Sequence, residues 1–173
     1  GMKSFENLTE INSDRFQYIL PYYNFDKYLG TDAANGSIKF ISTGSNDLQN
    51  TNNLKTKVIN DLEYQSNDFI NNFGFVSNFK INLKNSNTVG KNDDEYKSSP
   101  QIELMSIFEL TSSLPLIKKI NGYNNILTPK ASLRFNPSDM KNYSSTEKNI
   151  TVDNIFSINR LGLDDSFEEG KSL

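Results

Sequence analysis

Residues 72–84 read NFGFVSNFKINLK, and this stretch carries the strongest structural signal in the chain. Apolar side chains occupy all but one of the odd positions from Phe73 to Leu83, and most of the even positions from Gly74 to Lys84 are polar. Alternation with a period of two residues is typical of a β-strand that has two unlike faces. We therefore predict a strand over residues 72–84.

Other stretches share this alternation or have a strand-forming composition. We predict further strands over residues 15–25, 36–43, 54–65, 102–110 and 126–135. Pro129 has no N–H to donate to a sheet, so it should stand at the start of a strand or on an edge. Residues 152–161 suit a short helix as well as a strand, and no segment of a dozen residues keeps a helical period of 3.6. The sequence therefore predicts an all-β protein.

The connections between the predicted strands are polar and rich in Asn, Ser and Asp. The connection over 66–71 is short, whereas those over 85–101 and 111–125 are long. Residues 42–45 and 89–91 lack the glycines and the following helix of a phosphate-binding loop, and we expect them to be turns. A parallel crossover would normally need a helix, so the strands should form an antiparallel meander.

Strand length leaves two architectures open. A strand of about 12 residues at roughly 3.3 Å each, tilted by about 45°, crosses about 28 Å, which is close to the hydrocarbon thickness of a bilayer. Strands of soluble proteins usually have about 5 or 6 residues. The mean hydropathy of −0.59 is compatible with a barrel because only one face of each strand meets lipid. The strands thus suit part of an outer-membrane β-barrel or, alternatively, a soluble β-sandwich that buries the same faces.

Composition excludes several classes of function. The 173 residues include 18 Lys plus Arg and 21 Asp plus Glu, which gives a net charge of −3 and no electrostatic bias toward nucleic acid. The absence of His and Cys excludes Ser–His and Cys–His catalysis and zinc sites built from imidazole or thiolate. No apolar run is long enough for a transmembrane helix.

Some charged residues remain candidates for a site. The acidic run over 93–95 lacks the spacing of a calcium loop and should be a solvated turn, so neither a metal nor a cofactor is predicted. The carboxylates of Asp164 and Glu168 leave a carboxylate-dependent hydrolase as the least favoured alternative. Four lysines on the less hydrophobic faces of two predicted neighbouring strands would face the lumen of a barrel and meet an anionic substrate, or would be the solvated side of a soluble sheet: Lys55, Lys57, Lys80 and Lys84.

Two motifs in the last third of the chain are more specific. Residues 127–137, LTPKASLRFNP, resemble the strand pattern L-x-P-[KR]-x-x-x-x-[FY]-x-P of the outer-membrane lipopolysaccharide-assembly protein family, also called organic solvent tolerance proteins. Residues 154–164, NIFSINRLGLD, resemble that family's pattern L-F-x-x-N-R-F-S-G-x-D-R, in the same order and at a similar separation. The positions that match are Pro129, Phe135, Pro137, Phe156, Asn159, Arg160, Gly162 and Asp164.

The resemblance implies a large β-barrel in the outer membrane that has no enzymatic activity. Such a barrel receives lipopolysaccharide from a periplasmic bridge protein, holds a plug lipoprotein in its lumen and releases lipid into the outer leaflet. Residues 1–173 would then be a single segment of the barrel domain, truncated at both ends. The alternative from a different class is a soluble all-β module that binds a glycan or a protein.

Overall fold

The computed structural model describes residues 1–6, 16–33, 35–50, 52–139 and 149–173. Eleven strands and no helix lie within these ranges. The strands are β1 (Lys3–Glu6), β2 (Phe16–Thr31), β3 (Ser37–Gln49), β4 (Asn53–Gln65), β5 (Phe69–Ile70), β6 (Val76–Lys91), β7 (Gln101–Ser113), β8 (Leu116–Ile120), β9 (Tyr123–Leu127), β10 (Lys130–Asn136) and β11 (Gly170–Ser172).

Most of these strands belong to one sheet. Within the described ranges its order is β1-β2-β3-β4-β6-β7-β10-β11, with β5 paired to β6, while β8 and β9 form a separate hairpin. The pairs β1–β2 and β7–β10 are antiparallel. Strands that follow one another along the chain are therefore neighbours in the sheet, and the predicted all-β antiparallel meander of long strands is confirmed.

The predicted strand over 72–84 is wrong at both ends. Gly74 has a φ of +85° and lies in a turn, where the side chain of Asn71 accepts hydrogen bonds from the N–H groups of Phe73 and Phe75. The alternating phenylalanines therefore begin in a turn, and β6 starts only at Val76. At its other end β6 continues to Lys91, through residues whose composition predicted a loop.

Other predicted boundaries also change. The strand predicted over 126–135 is two strands, β9 and β10, separated by Thr128 and Pro129. Pro129 directly precedes β10, as predicted, and its carbonyl accepts the N–H of Leu114 at 3.0 Å. The long connection predicted over 111–125 contains β8 and the start of β9, which form a hairpin around Asn121 and Gly122.

Three smaller predictions are corrected or lie outside the described ranges. Residues 42–45 belong to β3 and residues 89–91 to β6, so neither segment is a turn. Residues 152–161 form turns and bends, and neither a helix nor a strand. Of the strand predicted over 15–25, Arg15 lies outside the described residues, and the rest belongs to β2.

The chain divides into two compact units. Unit 1 consists of Gly1–Lys27, Phe40–Leu62 and Lys84–Leu104, and unit 2 consists of Tyr28–Lys39, Glu63–Leu83 and Met105–Leu173. In unit 2, Met105, Ile107 and Phe167 form a buried apolar cluster with Ile158 packed against it. In unit 1, Ile59 is buried in β4, and Tyr96 is buried in the connection between β6 and β7.

A glycine is required where that connection folds back. Gly90 donates its N–H to the carbonyl of Lys97 at 2.8 Å. A Cβ at position 90 would lie 2.6 Å from the carbonyl oxygen of Tyr96, closer than side chains tolerate. The absence of a side chain at this position therefore allows residues 92–99 to pack against the end of β6.

Candidate functional site

The strands of unit 2 have two faces of opposite character. Leu133 and Phe135 of β10 are 45% and 39% exposed, whereas Arg134, between them, is 3% exposed and lies opposite Glu109 of β7, which is 2% exposed. We call the side that carries Leu133 the open face, and it is formed by Phe79, Ile81, Leu83, Phe108, Leu110, Leu133 and Phe135. We call the side that carries Arg134 the covered face, and it is formed by Asn82, Met105, Ile107, Glu109, Thr111, Arg134 and Asn136. The apolar face is thus the exposed one.

Charged and polar groups on the covered face contact one another. Lys80 Nζ lies 4.0 Å from Glu109 Oε1, and the hydroxyl of Thr111 donates to the same oxygen at 3.2 Å. Arg134 is the register partner of Glu109 in the neighbouring strand. A carboxylate buried to this extent is stable only with cations and donors around it, and Lys80, Thr111 and Arg134 provide this environment.

A segment near the C-terminus packs onto this face. The side chain of Phe167 is 1% exposed and contacts the cluster that contains Met105 and Ile107. Arg134 Nε donates to the carbonyl of Ile158 at 3.0 Å, and Asn136 Nδ2 donates to the carbonyl of Glu168 at 2.9 Å. We call residues 154–169 the docked segment, because apolar contacts and hydrogen bonds both hold it against β7 and β10.

The matched residues Asn159 and Gly162 build a turn within the docked segment. Asn159 Oδ1 accepts the N–H of Leu163 at 3.1 Å, and Asn159 Nδ2 donates to the carbonyl of Leu163 at 2.7 Å. Gly162 has a φ of +60°, in the left-handed region that disfavours most side chains. The turn places Arg160 for a bidentate ion pair with Glu168, with Nε–Oε2 and Nη2–Oε1 distances of 3.0 Å and 2.6 Å.

Glu168 connects two arginines. Besides its pair with Arg160, its Oε2 lies 3.5 Å from Arg134 Nη1, and its carbonyl accepts from the same nitrogen at 3.3 Å. Arg134, Arg160 and Glu168 thus form one charged cluster at the junction of β10 with the docked segment. Bidentate arginine–carboxylate geometry makes such contacts stronger and more directional than a lysine pair.

Unit 1 has a buried ion pair of its own. Lys84 is 4% exposed, and its Nζ lies 2.9 Å from Asp61 Oδ1 and donates to Oδ2 at 3.0 Å. Lys55 pairs with Glu95, and its Nζ also lies 4.5 Å from the centre of the Tyr96 ring. Of the lysines predicted to face a lumen, Lys55, Lys84 and, in unit 2, Lys80 have carboxylate neighbours, and Lys57 is half-buried in β4.

The other side of the strands in unit 1 carries a chain of polar side chains. The hydroxyl of Ser42 donates to Asn60 Oδ1 at 2.7 Å, Asn60 Nδ2 donates to Asn85 Oδ1 at 3.2 Å, and Asn87 Nδ2 donates to the same oxygen at 2.6 Å. The hydroxyl of Tyr23 lies 3.1 Å from that of Ser42. These contacts explain why an Asn-rich stretch continues as strand in β6.

The structure brings some of the matched residues together and separates others. Phe156 and Arg160 line one cavity beside β10, with Arg134 and Lys130 as further lining residues. Phe135 lies on the open face, where Lys171 Nζ is 5.4 Å from its ring centre. The remaining matched positions, Pro129, Pro137 and Asp164, are exposed and lie at the ends of β10 and after the Asn159 turn.

Sequence reasoning missed the most buried members of the site. Arg134 shares the polar side of its strand with Lys130 and Ser132. The alternation of polar and apolar residues therefore indicated the side on which Arg134 lies but not the groups that it contacts. The sequence indicates Glu168 only as a candidate carboxylate of a hydrolase. Glu109 is one of two acids in β7 and lies between Phe108 and Leu110, and an acid with apolar neighbours on both sides in a strand is the pattern that would have identified it.

No protein-family model, curated protein or solved structure matches the chain. Among the described residues, no helix has the length and hydrophobicity to cross a membrane. In the same part of the chain, no group of three or more Asp, Glu, His or Cys side chains is arranged to hold a metal ion.

Proposed function

We propose that the chain is a segment of an outer-membrane β-barrel that inserts lipopolysaccharide into the outer leaflet, without covalent catalysis. The observation that carries this proposal is the contrast between the faces of unit 2: the open face exposes apolar side chains, whereas the covered face buries Glu109 and Arg134 beside the apolar cluster of Met105, Ile107 and Phe167. A soluble protein gains stability from the opposite arrangement, because burial of one Leu or Phe side chain contributes about 1.5–3 kcal/mol. An exposed apolar face is stable when lipid covers it.

The two sequence motifs support the same proposal. Their resemblance to the lipopolysaccharide-assembly family rests on residues 127–137 and 154–164, and these segments contact each other through Arg134 and the carbonyl of Ile158. The matched Asn159 and Gly162 form one turn, and the matched Arg160 is held by Glu168. Residues that resemble a family pattern thus have structural roles in one local arrangement.

The covered face suits the transport step that we propose. The sugar head of lipopolysaccharide carries phosphate groups, so it requires a polar and partly cationic path, while its acyl chains must remain in an apolar phase. The two faces of unit 2 have these two characters. In the complete protein, the partners would be lipopolysaccharide, a plug lipoprotein and a periplasmic bridge protein, and the location would be the outer membrane.

Spin labels on adjacent residues test whether lipid covers the open face. The chain has no Cys, so Leu133→Cys on the open face and Ser132→Cys on the other side of the same strand each give one unambiguous nitroxide site. In liposomes, we expect the label at 133 to be accessible to oxygen and protected from a water-soluble nickel chelate. The label at 132 should show the lower ratio of oxygen to nickel accessibility.

The same measurement discriminates the soluble alternative. A soluble glycan- or protein-binding module would remain monomeric without detergent, and both labels would report water or protein surroundings. Equal oxygen-to-nickel ratios at 132 and 133, in a chain that stays monomeric in buffer, would overturn the membrane proposal.

A further inference from the structure

The hairpin formed by β8 and β9 extends the pair of strands β7 and β10 beyond the larger sheet. Its register pairs Leu116 with Leu127 and continues the register of β7 with β10. The ladder is interrupted where Pro115 and Pro129, which have no N–H to donate, precede β8 and β10. In the part of the chain that the structure describes, β8 and β9 pair only with each other, so both outer edges of the hairpin are free.

The hairpin has no buried side. All residues of β8 and β9 are exposed. The apolar side chains are between 42% and 76% exposed: Leu116, Ile117, Ile120, Tyr123, Ile126 and Leu127. A two-stranded hairpin by itself is only marginally stable in water, and apolar side chains exposed together mark an interaction surface. A partner that covers these side chains would therefore stabilise the hairpin.

The hairpin is positively charged and has no acid close to it in the sequence. Lys118 and Lys119 are both exposed, and neither forms an ion pair with a described residue. Residues 110–138 contain no Asp or Glu. Glu109, which precedes this stretch, is buried beside Lys80 and Thr111. The charge of the hairpin therefore complements a negatively charged partner.

The arrangement of the two lysines favours a bilayer over a protein. Consecutive residues of a strand point to opposite faces, so Lys118 and Lys119 lie on different faces of the hairpin. Apolar side chains accompany each lysine, with Tyr123 on the face of Lys118 and Ile117 and Ile126 on the other. A protein that packs against one face would leave the other face exposed. The interfacial layer of a bilayer can contact both faces, because lysine stems lie along apolar groups while the ammonium groups reach the lipid phosphates.

We propose that the β8–β9 hairpin inserts into the headgroup layer of an anionic phospholipid bilayer, with Lys118 and Lys119 as its contacts to the lipid phosphates. Tyr123, next to the turn, would lie at the boundary between headgroups and acyl chains, where tyrosine is enriched in membrane proteins. Attraction of each lysine to the anionic surface adds to the burial of the apolar side chains. The hairpin does not belong to the open face, so this inference goes beyond the proposed function and does not require lipopolysaccharide.

A single fluorescent probe in the hairpin tests the contact in the whole chain. The chain has no Trp, and Tyr123 is exposed, so Tyr123→Trp introduces one indole at a position that tolerates it. Acrylamide quenching of this probe is compared in liposomes of phosphatidylcholine and in liposomes of phosphatidylcholine mixed with phosphatidylglycerol. We expect roughly twofold weaker quenching in the anionic liposomes, and high salt should remove the difference.

Replacement of both hairpin lysines separates charge from apolar contact. In the chain with Tyr123→Trp, the pair Lys118→Gln and Lys119→Gln should restore the quenching seen in phosphatidylcholine, because each lysine contributes roughly a fivefold preference for the anionic surface. The matched control is the pair Lys91→Gln and Lys97→Gln. These changes alter the net charge equally at exposed positions outside the hairpin and should leave the quenching unchanged.

Three results would overturn the proposal. Equal quenching of the probe in both kinds of liposome would show that the hairpin does not recognise anionic lipid. Protection that persists in the variant of Lys118 and Lys119 would show that these lysines are not its contacts. Protection in buffer without lipid would show that a second copy or another part of the chain covers the hairpin.

Failure of the proposed function is distinguishable from failure of this inference. The spin-label ratios at 132 and 133 report the open face, whereas the probe at 123 reports the hairpin. For a chain that stays monomeric in buffer, the same quenching is measured after addition of preformed liposomes. Weaker quenching with anionic liposomes would then support the hairpin contact, and unchanged quenching would overturn it.

Discussion

At the scale of single residues, the buried charged side chains have partners that the sequence alone did not indicate. Lys84 was predicted as one of several lumen-facing lysines, yet it forms a buried pair with Asp61. Glu168 lies between two arginines, and Arg134 retains one donor without an acceptor in the described residues. Pairing of this kind depends on strand register and on the path of the docked segment, so residue type and spacing alone do not reveal it.

The buried pair in unit 1 should stabilise the fold only as a pair. Asp61→Leu alone leaves Lys84 as a buried charge without its carboxylate, and we expect the free energy of unfolding to fall by about 3–5 kcal/mol. The double variant Asp61→Leu with Lys84→Met should recover most of that loss because neither charge remains. Urea unfolding in micelles, followed by circular dichroism, measures both. A single variant as stable as the parent chain would contradict the prediction.

The left-handed residue in the Asn159 turn gives a second prediction. A Cβ at Gly162 would meet no atom within 4 Å, so Gly162→Ala changes only the backbone preference. At a φ of +60° this preference costs about 1–2 kcal/mol. The introduced thiol of Ser166→Cys, at a position that is 0% exposed, reports opening of the docked segment through its rate of maleimide labelling.

We expect Gly162→Ala to raise that labelling rate about tenfold. Gly162→Asn is the matched control, because Asn tolerates the left-handed region better than Ala and should raise the rate less. Equal rates for the Ala and Asn variants would show that backbone preference at this residue does not limit opening of the segment.

At the scale of elements, hydrogen bonds of Asn side chains explain the errors in strand boundaries. Asn71 organises a turn where alternating phenylalanines predicted a strand, whereas Asn85 and Asn87 bond across neighbouring strands where composition predicted a loop. The hairpin of β8 and β9 was detectable, because Asn121 and Gly122 both have positive φ and Asn-Gly is the usual sequence of such two-residue turns. The same residue type thus supports opposite local structures, and its neighbours decide which one forms.

Ion pairs contribute to holding the docked segment, and this gives a third prediction. Glu168→Gln removes the carboxylate that Arg160 and Arg134 share and leaves both cations without it. We expect maleimide labelling of Ser166→Cys to accelerate at least tenfold, since hydrogen bonds to charged groups contribute about 1.5–3 kcal/mol. High salt should reduce the difference between the variant and the parent chain by weakening the ion pairs of the parent.

An exposed acid in the same part of the chain is the control for this prediction. Asp153→Asn changes charge by the same amount at an exposed position and should leave the labelling rate unchanged. Similar acceleration by Asp153→Asn and Glu168→Gln would indicate that net charge, and not the arginine contacts, controls the segment.

At the scale of the whole molecule, the two units differ in the polarity of the side chains along their strands. Unit 2 has an apolar open face, whereas one side of the strands in unit 1 carries the hydrogen-bonded series from Ser42 to Asn87. The outer-membrane proposal therefore rests on unit 2. The composition of the full chain, with 35% hydrophobic residues, hides this difference because polar and apolar faces are averaged.

The fourth prediction concerns the solubility of the chain as a whole. We expect it to partition into the detergent-rich phase in a phase-separation assay and to aggregate when detergent is diluted away, because the open face of unit 2 then meets water. A triple variant, Ile81→Thr, Leu133→Thr and Phe135→Thr, makes that face more polar and should shift the chain toward the aqueous phase. A parent chain that is monomeric in the aqueous phase would contradict this expectation.

The sequence by itself determined the class of fold, because a two-residue period and the lack of a sustained helical period allow little besides an antiparallel all-β protein. It also singled out Arg160 and Gly162 through their motif, whereas the single strand predicted over 126–135 is the two strands β9 and β10. Only the tertiary structure decided which face is covered, since alternation separates two faces without indicating what lies against either. The packing of residues 154–169 onto β7 and β10 made the polar face the covered one and gathered Lys130, Arg134 and Arg160 around a single cavity.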